Sequence, residues 1–135
     1  MGCAALAAVL SRSEVLVLKA IEDMKDDIVE LTKEFVKVPT VNPPGERYPE
    51  FAELLSKKLE ELGLEVSIID VPLDEIRKRN LELPRPIVVG VLRGMEERSL
   101  VFNGHYDVVP PGAGWTTDPF SPTVIDGRIV RRGTA

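Results

Sequence analysis

Cysteine and histidine are almost missing from this sequence: its 135 residues hold one of each, Cys3 and His105. A lone cysteine excludes an internal disulfide and any cysteine-rich metal framework, and it suits a reducing compartment, so a cytoplasmic location is expected. Aromatic residues reach only 5%, with one Trp. Basic charge is also short, 17 Lys and Arg against 22 Asp and Glu for a formal net charge of -5. Nucleic acid or an anionic membrane would have to bind against that mean field, which leaves small molecules as the expected partners. Long apolar runs are lacking too. Ala4 to Leu10 is too short to span a bilayer, has no basic flank, and is cut off by Arg12 and Glu14 before Val15 to Leu18. Leu6 stands where a myristoylation signal after Gly2 wants Ser or Thr. No serine sits in a Gly-x-Ser-x-Gly context, so nucleophilic hydrolysis finds no support. Residues 1–19 therefore receive no functional assignment.

What is present describes a folded domain, with 44% hydrophobic and 29% charged residues. Ile21, Met24, Ile28, Leu31, Phe35 and Val38 recur every three or four positions and predict one core-packing helix, stopped by Pro39. Asn42-Pro43-Pro44-Gly45 then makes a rigid loop. A second helix is predicted from about Pro49, burying Phe51, Leu54, Leu55, Leu59 and Leu62 and leaving through Gly63. Glu65 to Val71 reads as a strand, and Pro72 to Pro86 as a charged excursion with one short helix around Asp74 to Asn80. Ile87 to Leu92 and Leu100 to Phe102 are predicted to form a buried antiparallel hairpin across the turn containing Gly94, Glu96, Glu97 and Arg98. Pro110 to Pro122, with Trp115 and Phe120, is expected to be a fixed loop. Asp126-Gly127 marks a last hairpin within Thr123 to Arg131. This order predicts the opening of an α/β sandwich with a mixed sheet, incomplete as it stands.

His105 follows the apolar run Leu100 to Phe102 and is expected at the carboxyl end of that strand, where open α/β sheets place ligand crevices. In an extended chain Asp107, two residues on, projects from the same face within reach of one hydrogen bond. A carboxylate behind an imidazole fixes its tautomer and raises its basicity, as commonly found behind metal-bound histidines. A lone histidine near a strand end is more often an ordinary hydrogen-bonded residue than a ligand, so His-x-Asp alone favours that reading over metal. Gly104 and Gly112 are read as serving backbone turns, Gly104 also as permitting close approach of the chain. Trp115 and Phe120 are read as packing anchors, and Glu96-Glu97 and Arg77-Lys78-Arg79 as solvated charge.

The longer string Asn103-Gly104-His105-Tyr106-Asp107-Val108-Val109-Pro110, followed by Trp115, Pro119-Phe120, Pro122, Asp126-Gly127 and Arg132-Gly133, closely resembles the M20 metallopeptidase family. Val38-Pro39-Thr40-Val41-Asn42-Pro43-Pro44-Gly45 also looks like that family's first loop, and the match runs from about Ile21 to Ala135. The resemblance implies the amino-terminal portion of a zinc-peptidase-like α/β/α catalytic domain over residues 20–135, without the dimerisation domain. It implies a hydrolase of amide bonds in N-acyl amino acids or small peptides, of the acetylornithine deacetylase or succinyl-diaminopimelate desuccinylase kind. Two zinc or cobalt ions are implied for the whole family site, with His105 as a metal ligand and Asp107 as the catalytic acidic residue that orients it. The family's bridging aspartate, Glu-Glu pair and remaining ligands have no counterpart here, so at most one partial metal site is expected. The chain by itself is expected to be inactive, or else to be a non-catalytic remnant or subunit that needs a second polypeptide to complete the site, its macromolecular partner being a further copy in a homo-oligomer or a complementing downstream chain. Arg131 stands where the family usually has glycine.

Overall fold

The computed structural model describes residues 11–132. The chain divides into two compact units, Met1–Glu34 and Phe35–Ala135. In the first, α1 (Arg12–Asp23) begins on Ser11, whose hydroxyl accepts from the Glu14 amide while the Glu14 carboxylate accepts from the Ser11 amide, a reciprocal cap that satisfies free helix-end donors. α1 includes residues 12–19, for which composition gave no assignment. The helix predicted as one piece is interrupted at Met24, after which α2 (Lys25–Val36) continues into the second unit. Its apolar stripe is not uniformly core: Ile21, Met24 and Ile28 are exposed, whereas Leu31 and Phe35 are half-buried. Periodicity reports which residues share a face, and only a neighbouring element can cover that face.

The second unit carries the core. α3 (Tyr48–Glu61) starts within a residue of the predicted Pro49, and Gly63 supplies the left-handed exit with φ 84°. Its most buried residues are Tyr48, Phe51, Ala52 and Ser56, a face rotated from the predicted leucine stripe; Leu62 is exposed. α3 packs on a two-stranded antiparallel sheet of β1 (Glu65–Asp70) and β2 (Pro86–Val91), in register from Glu65 opposite Val91 to Asp70 opposite Pro86. Between these strands runs α4 (Leu73–Arg77), which buries Ile76. Arg77, Lys78 and Arg79 lie exposed, with Lys78 and Arg79 paired to Glu75, in keeping with a solvated face.

The hairpin predicted between Ile87–Leu92 and Leu100–Phe102 does not form: β2 pairs with β1, and Leu100, Val101 and Phe102 are 80%, 79% and 90% exposed outside any strand. β1 offers six residues in register and shares the cover of α3, whereas the run at 100–102 offers three and has no cover. Strand β3 (Thr123–Ile125) pairs antiparallel with β4 (Arg128–Val130) through Asp126 and Gly127, whose φ values of 50° and 73° are those of a tight hairpin turn. The described residues thus form a mixed α/β structure with two small antiparallel sheets, in place of the single mixed sheet expected. No helix among the described residues is long and apolar enough to cross a membrane.

Candidate metal-ligating site

His105 lies in an irregular segment and not at the end of a strand, because the run before it forms none. The segment is fixed from the other side. Val108 makes a parallel bridge to Val41, with the Asn42 amide donating to the Val108 carbonyl at 2.8 Å and the Val108 amide to the Thr40 carbonyl at 2.9 Å. The buried Thr40 hydroxyl donates to the Tyr106 carbonyl. Tyr106 points inward, its ring stacked 4.9 Å from Phe51 and edge-on 5.1 Å from Tyr48, its hydroxyl donating to the Pro86 carbonyl at 2.6 Å. His105 and Asp107, its neighbours in sequence, line the same concavity as Tyr106.

The His105 ring is 83% exposed, and its Nδ1 lies 3.0 Å from Asp107 Oδ1 and 3.1 Å from the Asp107 carbonyl oxygen. Both neighbours only accept, so in the neutral ring Nδ1 carries the proton and Nε2 keeps its lone pair. Partial burial pushes the Asp107 carboxyl up, but hydrogen bonds from Asn42 and His105 outweigh it and hold the group below the ordinary carboxylate range. Asn42 Nδ2 donates to Asp107 Oδ2 at 3.0 Å, and Asn42 Oδ1 accepts from Arg85 Nη1 at 3.2 Å. Arg85 also donates to the Pro44 carbonyl at 2.8 Å and stands 4.7 Å over the Tyr48 ring. Asn42, Tyr48, Arg85, His105 and Asp107 are among the residues lining the concavity, of about 390 Å³.

Sequence reading missed Arg85 and the side-chain role of Asn42. Asn42 lies in a loop that the sequence marks as rigid and as like the family's first loop, with no side-chain role, and Arg85 lies in the charged excursion, where nothing local distinguishes it. Gly104 and Gly112, expected to serve turns, have neither a left-handed φ nor a neighbour within 4 Å of an added Cβ; in that loop Gly114 is the left-handed residue, at φ 95°. The Pro110 to Pro122 loop is tied at its ends, where Arg132 donates from its amide to the Pro119 carbonyl and from Nε to the Val109 carbonyl. Phe120 is half-buried and Trp115 is 38% exposed. Arg131 donates to the Thr123 hydroxyl and the Val130 carbonyl, bracing the β3–β4 hairpin.

Among the described residues no group of three His, Cys, Asp or Glu side chains converges. A neutral imidazole with its second nitrogen anchored suits a single zinc or cobalt ligand, and it is one donor of the four that a closed zinc site needs.

No family model matches the chain. It is 37% identical over 111 residues to a succinyl-diaminopimelate desuccinylase of Anaplasma marginale (strain Florida), a match covering 82% of this chain and 26% of that protein. It is 32% identical over 123 residues to an N-formyl-4-amino-5-aminomethyl-2-methylpyrimidine deformylase of Halalkalibacterium halodurans, covering 87% of this chain and 26% of the relative. The crystal structure of human carnosine dipeptidase 1 superposes with a TM-score of 0.70 at 28% identity, over 87% of this chain and 26% of the other. The chain spans about a quarter of the length of these relatives. Sequence motifs, relatives and fold agree, and the chain belongs to the M20 metallopeptidase family, matching the amino-terminal quarter of its members.

Proposed function

We propose that this chain carries the first metal-ligating segment of a metal-dependent amide hydrolase acting on N-acyl amino acids or small peptides. The observation that supports this most is the His105 ring, with Nδ1 anchored on Asp107 at 3.0 Å and Nε2 left for a cation. His105 would hold one zinc or cobalt ion, and Asp107 keeps the imidazole in the tautomer that can donate a lone pair. Bound metal supplies Lewis acidity, polarising an amide carbonyl and acidifying water. The relatives are named for removing succinyl and formyl groups and for cleaving dipeptides, so likeness over the shared quarter does not select one acyl group.

The single histidine of this sequence cannot hold two divalent ions, so the isolated chain is expected to turn over neither N-acetylornithine nor succinyl-diaminopimelate. Zinc titration followed by the nitrogen-15 signals of the one imidazole tests ligation directly: the Nε2 signal is expected to move and Nδ1 to stay bonded. An unresponsive ring in excess zinc overturns the reading. A second reading, that the chain is a subunit completed by another polypeptide, is favoured by the exposure of Leu100, Val101 and Phe102. Co-expression with a chain carrying the missing ligands is then expected to restore hydrolysis, which His105→Ala or Asp107→Ala removes.

A further inference from the structure

We infer that Asn42, backed by Arg85, is a positioning residue that holds the Asp107 carboxylate against His105 and so presents Nε2 of the imidazole outward. Its importance for metal rests on the reading of His105 as a ligand, but the positioning itself stands on geometry. Four side chains form a line in which each hydrogen bond runs from donor to acceptor without conflict: Arg85 to Asn42 at 3.2 Å, Asn42 to Asp107 at 3.0 Å, and His105 to Asp107 at 3.0 Å. The Asn42 amide has one workable orientation. Turned over, its carbonyl oxygen would face a carboxylate oxygen and its NH2 group would face a guanidinium, which is donor against donor and acceptor against acceptor.

The guanidinium that sets this orientation is itself confined. Pro44 accepts from it at 2.8 Å, the Tyr48 ring lies 4.7 Å beneath it, and the buried Gly45 leaves it room. A Cβ built on Gly45, whose φ is 98°, would stand 2.7 Å from Arg85 Cζ. The Asn-Pro-Pro-Gly loop therefore serves as a mount for Arg85 and Asn42. Asp107 Oδ2 is taken by Asn42, which leaves Oδ1 for Nδ1 of His105. The backbone bridge between Val41 and Val108 brings the two segments together, but it does not touch the carboxylate.

The single histidine makes the test unambiguous, because imidazole nitrogen-15 shifts at alkaline pH report the neutral tautomer of one ring. In the unmodified chain, free of metal, the Nδ1–H form is expected to predominate, and one Asn42 side-chain amide proton is expected to exchange slowly with solvent. Asn42→Ala is expected to shift the ring toward the Nε2–H form and to weaken zinc binding by roughly 10–100-fold, the usual effect of losing a group behind a metal ligand. Arg85→Met is expected to shift the tautomer in the same direction. A folded Asn42→Ala chain with unchanged tautomer overturns the inference. So does a fast-exchanging Asn42 amide in the unmodified chain, a measurement that needs no variant to fold. Zinc that moves the Nε2 signal while Asn42→Ala leaves the tautomer alone removes only the positioning role. A tautomer that follows Asn42 in a ring indifferent to zinc removes only the metal reading.

Discussion

At the scale of single residues, Tyr106 joins the core to the site. Its ring sits among Phe51 and Tyr48, and its two neighbours in sequence are His105 and Asp107. Burial pushes the Tyr106 phenol up, with Tyr48 adding to the effect, and burial followed by the Asp107 charge pushes Tyr48 up. A phenol raised in the folded state contributes stability that is fully present below the unfolded value, about 10, and lost as pH rises through the folded value. Both tyrosines of the chain are therefore expected to ionise above the ordinary range, with unfolding free energy declining in that same alkaline window. Spectrophotometric titration beside denaturation at each pH checks this, and two phenols titrating at the ordinary value would mean that the cluster is open to water. Tyr106→Phe, which removes the bond to the Pro86 carbonyl, is expected to cost about 1 kcal/mol and to reduce the alkaline loss.

At the scale of elements, the contact of α3 with the β1–β2 sheet is the central packing event of the second unit. Gly90 marks how close it is: an added Cβ would lie 3.0 Å from Leu64 Cδ2 and 3.1 Å from Leu59 Cδ1. Neither leucine is backbone, so a methyl group can be accommodated by a small shift, whereas a branched side chain must separate helix from sheet. Gly90→Val is accordingly expected to destabilise by about 1–3 kcal/mol, and Gly90→Ala by clearly less, in urea denaturation. Equal effects of the two would show that the strand moves as a whole. The other face of this sheet carries Ile69, Ile87, Val89 and Val91, all exposed. Strands apolar on both faces belong to sheets covered on both sides, the arrangement the family resemblance implies.

At the scale of the whole molecule, exposed apolar side chains and net charge act against each other. The uncovered sheet face and the run from Leu100 to Phe102 favour association, and a formal net charge of -5 opposes it. Sedimentation is expected to reveal self-association that grows with protein concentration and with salt, since salt screens the charge and leaves apolar attraction intact. Ile69→Lys, at a site 51% exposed, is expected to reduce association without loss of helical signal. A monomer at every salt concentration would mean that these faces do not attract one another.

Local chemistry determined most of what the sequence by itself made legible. Pro39 and Gly63 bounded helices, Asp126-Gly127 made a hairpin, and His105 found Asp107 two positions along the chain. Tertiary structure alone decided what lies further apart. Asn42 reaches Asp107 across 65 positions and Arg85 reaches Asn42 across 43, separations at which no periodicity or spacing rule operates. It also decided that β2 takes β1 as partner and that half of the first apolar stripe is left exposed. Pairing depends on which strand offers a full ladder beside a shared helix, and burial depends on what covers a face; neither is a property of the segment itself.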